Sequence, residues 1–217
     1  MGSTDTMALL GNSFITLAEH LPIQKISVSD IVAASGKNRK TFYYHFEGKE
    51  SLIRWIYRCD IASQLKSTVS PDELVYEREG EGALPTLPYY VRRKSGVRSL
   101  DGSVFLKSMA ACFEHRRDYY AKVLRISGPD SLQAYLRRLY TTALADDIRF
   151  ILSNRYLAEG NVSFLSEFYA GALVSYMVER VCDPTCADIL ADVKPFENIV
   201  HSSIESEIKQ QQLKRVL

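Results

Sequence analysis

No apolar run in this sequence approaches the roughly 18 residues that a membrane-spanning helix needs. The opening "MGSTDTMALLGNSF" lacks a basic region followed by an apolar stretch and a small-residue cleavage site, so the cytoplasm is the expected compartment. Excess charge is missing too: 27 basic and 26 acidic residues leave a formal net charge of +1. A nucleic-acid partner must therefore be argued from local clustering rather than overall charge. The four cysteines (Cys59, Cys112, Cys182, Cys186) lack the dense spacing of a secreted disulfide scaffold, and reduced thiols are the simpler reading. Only "CDPTC" brings two together, without the second clustered pair that a metal site needs. The four histidines (His20, His45, His115, His201) do not group in sequence. With no G-x-S-x-G, H-E-x-x-H or Gly-rich phosphate loop, neither an enzyme nor a cofactor is expected.

The chain does hold helical periodicity. From Thr6 to His20, Leu10, Phe14, Leu17, Ala18 and Leu21 recur at spacings of three and four, an amphipathic helix closed near Pro22. Ser27 is a good N-cap for a short second helix, with Asp30 favouring its positive end and Ile31, Val32 and Ala34 on its buried side. Gly36 ends that helix, being tolerant of positive φ. Asn38 caps a third whose inner face is Phe42 and Phe46. Two short helices about a glycine turn make a helix-turn-helix pattern. A fourth helix runs from near Gly48 to about Lys66, with Leu52, Ile53, Ile56 and Leu65 inward.

In such a motif the second short helix enters the major groove and the first crosses the backbone. Arg39 and Lys40 stand in the first turn, where side chains reach base edges, and arginine can pair with guanine O6 and N7. Thr41, Tyr43, Tyr44 and His45 carry donors suited to phosphate oxygens, which position a protein without reading sequence. Lys49, opening the fourth helix, adds charge toward a phosphate. Ser27, Val28, Ser29, Lys37 and Asn38 complete the candidate DNA-binding set.

The stretch "ISVSDIVAASGKNRKTFYYHFEGKESL" resembles the DNA-binding domain of TetR/AcrR transcriptional regulators, through Val28, Asp30, Ile31, Gly36, Thr41, Phe42, Tyr43, His45, Phe46 and Lys49. Its "NRKTFYYHF" wording is similar to the subgroup of dihydroxyacetone-kinase regulators. The resemblance is specific over about the first 60 residues. Beyond them only "DYYAKVLRISGPDSLQAYL" and "FYAGALVSYMVERV" are similar to the subgroup. It implies an all-α, nine-helix fold: a helix-turn-helix domain over residues 1–48 and a C-terminal effector-binding and dimerisation domain over 49–217. It also implies a homodimer through the last two helices, on a palindromic operator. Lys37 departs from the pattern, standing where the family usually has a buried valine or leucine.

Residues 67–103 differ in character, with Pro71, Pro85, Pro88 and four glycines (Gly80, Gly82, Gly96, Gly102). "LVYERE" and "PYYVRRK" read as short strands around "GEGALPTL", inside an irregular insertion too long for an ordinary loop. Helices resume in "VFLKSMAACFEHRRDYYAKVLR", with a break near Arg116, then in "SLQAYLRRLYTTALADDIRFIL", over Ser166 to Val181, and from Pro195. A pocket among these helices is plausible because bundles carry apolar cavities; its candidate lining is Phe113, Tyr120, Tyr140, Arg149, Asn154 and Tyr169. Apolar stripes on the last two helices put Phe168, Ala172, Tyr176, Phe196, Val200 and Ile204 in a dimer interface, with headpieces roughly 34 to 36 Å apart. The expected function is a dimeric transcriptional regulator, read as a repressor, whose operator affinity responds to a small-molecule effector. The alternative is a regulator whose C-terminal domain meets a partner protein through the insertion, in which case trimming the insertion spares DNA binding.

Overall fold

The computed structural model describes residues 2–80, 84–153 and 156–191. Asn154, Phe196, Val200, Ile204 and the helix expected from Pro195 lie outside the described residues. Helix α1 (Ser3–His20) buries Leu10, Phe14 and Ala18. Leu21 does not join them and is 40% exposed, because the chain leaves the helix there for Pro22 and a 3-10 turn at Ile23–Lys25. Gly11 lets α1 lie close to the next long helix: a Cβ there would sit 3.1 Å from Trp55 Cζ3 and 3.3 Å from Ile56 Cγ1.

Helices α2 (Val28–Ser35), α3 (Arg39–His45) and α4 (Lys49–Thr68) follow. In α2 the buried side is Ile31, Val32 and Ser35; Ala34 is exposed, a correction that follows from the direction in which the short helix faces α1. Leu52, Ile53, Ile56 and Leu65 are buried on α4 as expected.

The 67–103 segment forms two small hairpins rather than a loose loop. Strand β1 (Leu74–Tyr76) pairs antiparallel with β2 (Pro88–Val91), and β3 (Lys94–Gly96) with β4 (Ser99–Leu100). All four residues of β2 are buried. The Tyr90 ring lies 4.4 Å from that of Phe105, its hydroxyl donates to Asp147 Oδ2 at 2.8 Å, and Arg92 Nε donates to Asp147 Oδ1 at 2.7 Å. The second strand of this segment is a wall of the core.

Helices α5 (Ser103–His115) and α6 (Arg117–Leu124) meet at Arg116, the expected break, and α7 (Leu132–Leu152) packs along α8 (Glu159–Cys182). The last of these begins about two turns before the Ser166 expected, because Val162 is buried in a small cluster with Ile148, Leu152, Leu157 and Tyr169. One larger core runs from Leu10 and Phe42 through Tyr140 to Val181, so headpiece and helical body share apolar packing. The fold is α-helical, with the two hairpins as its strand content among the described residues. No helix there is long and apolar enough to cross a membrane. The four cysteines are free thiols, and burial pushes that of Cys59 up to about 11.

Candidate nucleic-acid interface

Local chemistry builds the headpiece. Ser27 caps α2: its Oγ accepts from Asp30 N at 3.3 Å, while Ser27 N donates to Asp30 Oδ2 at 2.8 Å, a reciprocal box. The Ser27 hydroxyl, which also donates to Asp30 Oδ2 at 2.7 Å, and then Ser27 N hold the Asp30 carboxyl below its ordinary range. Gly36 takes φ +63°, and Lys37 N donates to Val32 O at 3.0 Å, closing the helix with a left-handed cap. Lys37 therefore sits just past the cap, where its main-chain N–H serves the helix end. Asn38 Oδ1 accepts from Thr41 N at 2.8 Å and from Thr41 Oγ1 at 3.0 Å, so both side chains serve the start of α3.

That start leaves one outer surface. Arg39, Lys40, Tyr43 and Tyr44 are exposed, the tyrosines by 57% and 82%, while Phe42 beneath them is fully buried. Arg39 Nη2 donates to Ser29 Oγ, tying the first turn of α3 to α2. His45 is half-buried, its ring 4.9 Å from Tyr44 and edge-on to it. Val28 is half-buried and packs against the core, so its apolar side chain fixes the angle of α2. Two basic residues and two phenols on a convex helical face can reach phosphates and base edges together.

Lys49 occupies a different setting from the outer face. Its Nζ donates to Ile23 O at 3.0 Å, Ile26 O at 3.3 Å and Gln24 O at 3.5 Å, neutralising the carbonyls of the 3-10 turn. Lys49→Met is expected to weaken DNA binding on all sequences with the salt dependence of binding unchanged, because no phosphate charge is lost. A salt titration in which the slope falls by about one would place the ammonium on a phosphate instead.

A second lysine, which sequence reasoning missed, holds the other side of that connection. Lys122 Nζ on α6 donates to Ala18 O at 2.6 Å and Glu19 O at 3.2 Å, the carbonyl end of α1. Arg117 of the same helix and Arg125 at its C-cap bond the end of α8, through Arg180 O at 2.9 Å and Cys182 O at 2.8 Å. Cations at helix C-termini are favourable. Here they make α6 a strut between the headpiece and α8. No motif marks Lys122, because its partner lies 104 positions away.

With this geometry in place, the comparisons fall into one family. A family model described as bacterial regulatory proteins, tetR family, matches residues 17–56. The headpiece of this chain is similar to that family's DNA-binding domain. The matched span covers the end of α1 through the first turns of α4, the elements that present Arg39 and Lys40. The chain is 35% identical over 57 residues to the HTH-type dhaKLM operon transcriptional activator DhaS of Lactococcus lactis subsp. lactis (strain IL1403). That match covers 26% of this chain and spans about 30% of the length of the relative. A solved structure of a dihydroxyacetone kinase operon activator DhaS aligns with a TM-score of 0.53 over 93% of this chain and 97% of the other, at 17% identity. At that identity the likeness is one of fold.

The structure does not gather the five effector candidates within the described residues. Phe113 and Tyr120 pack edge-on at 5.1 Å and Tyr140 joins them through Tyr57, all fully buried, so their own rings fill the space they were expected to line. Tyr169 belongs to the smaller cluster. Arg149 lies at the surface, paired with Asp146 and Glu159. Of the dimer candidates within the described residues, Phe168 is 58% exposed and stacks on Phe164, Ala172 is half-buried, and Tyr176 donates its hydroxyl to Ile189 O at 2.9 Å.

Proposed function

We propose that this chain is a TetR-family regulator of transcription, acting as a homodimer on a palindromic operator, with operator affinity changed by an effector held in the helical body. The observation that carries the reading is the outer face of α3, where Arg39, Lys40, Tyr43 and Tyr44 stand exposed over a fully buried Phe42. The exposed, stacked Phe164 and Phe168 on α8 support a self-complementary dimer face, since a pair of adjacent bare phenylalanines gains by being covered. Activation is the favoured sign of regulation, because both relatives compared are named as operon activators. This replaces repression as the working expectation.

The test is selection of bound duplexes from a random pool by the purified chain, beside Arg39→Ala/Lys40→Ala. A palindrome recovered by the parent and lost by the variant supports the reading; Arg39→Ala alone is expected to relax one base position at a cost of about 1 to 3 kcal/mol. Equal enrichment by parent and variant would refute base reading by α3. A partner protein in place of a metabolite keeps one supporting observation, the tip of the β3–β4 hairpin, where Val97 is 95% exposed between Lys94 and Arg98.

A further inference from the structure

The first turns of α2 and α3 are joined by their side chains as well as by the glycine turn. Ser29 is the second residue of α2 and Arg39 the first of α3. Local chemistry sets the frame that brings them together: the Ser27–Asp30 box fixes where α2 begins, Gly36 at φ +63° turns the chain, and Asn38 Oδ1 on Thr41 N fixes where α3 begins. Across that frame Arg39 Nη2 donates to Ser29 Oγ, ten positions back. Ser29 is half-buried and its side chain is short, whereas Arg39 is exposed on a long one, so the serine is the anchor and the arginine is what it holds. Ser27 has no such part, because its hydroxyl is engaged with Asp30 in the α2 cap.

Holding the guanidinium leaves it able to read a base. Nη2 carries two hydrogens, one on the edge it shares with Nε and one on the edge it shares with Nη1. Whichever hydrogen goes to Ser29, the other completes a two-donor edge, with Nη1 or with Nε. Such an edge matches guanine O6 and N7 in the major groove. An exposed arginine that nothing holds has many rotamers to lose on binding, and the surrounding phosphates attract it whatever the sequence. A side chain already placed avoids part of that ordering cost, and the gain is largest for a bidentate contact, where both donors must arrive in one plane.

We propose that Ser29 is a specificity-determining positioning residue: it holds Arg39 in the conformation that reads one guanine in each half-site, and it acts through Arg39 rather than by a contact of its own with DNA. The inference rests on the base-reading role given to α3 above, and it names the base that Arg39 reads and the group that makes Arg39 selective. Loss of the Ser29 hydroxyl frees the guanidinium for the DNA backbone, so discrimination falls while general affinity stays.

The experiment takes the duplex that the full chain selects, replaces each half-site base pair in turn by every other, and measures the affinity of the parent, Ser29→Ala, Ser29→Thr, Arg39→Ala and Ser29→Ala/Arg39→Ala for each duplex. Ser29→Ala is expected to lose about three- to tenfold of the discrimination at the guanine that Arg39→Ala relaxes, with affinity for unrelated duplex within about twofold of the parent's. Ser29→Thr, which restores a hydroxyl, restores the discrimination. The double variant discriminates no worse than Arg39→Ala, because the two side chains act as one unit. A Ser29→Ala chain that binds every duplex more weakly by one factor puts the hydroxyl on a phosphate or in the fold, and overturns the inference. Additive losses in the double variant overturn it too, as does relaxation at a position other than that of Arg39→Ala. Relaxation where the parent selects a base other than guanine overturns the guanine assignment. The two readings fail separately: Arg39→Ala with every preference intact removes base reading by Arg39 and the role of Ser29 with it, whereas a position relaxed by Arg39→Ala and left sharp by Ser29→Ala removes the positioning role alone.

Discussion

Excision of residues 74–91, bridged by a short Gly-Ser linker, is expected to give a chain that no longer folds, not one that keeps DNA binding and loses a partner. Tyr89, Tyr90 and Val91 are each within a few per cent of full burial, and each such side chain contributes about 1.5 to 3 kcal/mol by leaving water. Excision also strands a buried charge: Arg58 loses Glu77 together with the carbonyls of Leu84 and Leu87, while Asp147 loses the Tyr90 hydroxyl and keeps Arg92. A buried charge left without its partner costs about 3 to 5 kcal/mol, so the sum reaches the whole of a typical domain's 5 to 15 kcal/mol. Soluble yield and the presence of a cooperative melt decide the matter. Two point variants grade the effect: Tyr90→Phe should cost about 1 to 3 kcal/mol through the hydrogen bond lost at Asp147 Oδ2, and Tyr90→Ala about 3 to 5. An excised chain that melts cooperatively within a few degrees of the parent would show that β2 is not part of the core.

Phe42→Ala is expected to abolish binding to every DNA sequence while leaving the helical body folded. The ring is fully buried, 5.7 Å from Phe46, which in turn meets Trp55 of α4 at 5.9 Å. Truncation removes about 3 to 5 kcal/mol from a helix of seven residues, too short to stand without its packing. Arg39 and Lys40 then lose the fixed platform that presents them. The contrast with Arg39→Ala is the informative part: loss of the platform lowers affinity for all duplexes, whereas loss of one reader relaxes one position. Retention of a sharp sequence preference by Phe42→Ala, in a binding assay across the selected pool, would mean that α3 is held by something other than its apolar face.

The headpiece was legible because its determinants are local. Ser27 and Asp30, Asn38 and Thr41, and the left-handed Gly36 each act within four positions of the chain, where spacing and side-chain chemistry are the whole of the physics. The same holds for the helices that repeat apolar residues at three and four, and for the break at Arg116. Legibility ended where a residue's setting depends on distant chain. Lys49 reads as a phosphate contact by position and charge, yet its ammonium meets carbonyls 23 to 26 residues away. The aromatic residues Phe113, Tyr120 and Tyr140 read as pocket lining, and the same periodicity is produced by rings that fill one another's space.

Sequence alone thus settled the helical class, the caps and turn of the headpiece, and the outward face of α3, all set by interactions within one or two turns of chain. Tertiary packing decided the rest. It made β2 a wall of the core, placed the Tyr90 hydroxyl on a carboxylate 57 residues further on, set Arg58 against Glu77 19 residues away, and hung α1 from Lys122 across 104. A charged or hydroxyl side chain must be paired once it is buried, and which partner it finds depends on how distant segments come together, a relation that no local pattern records.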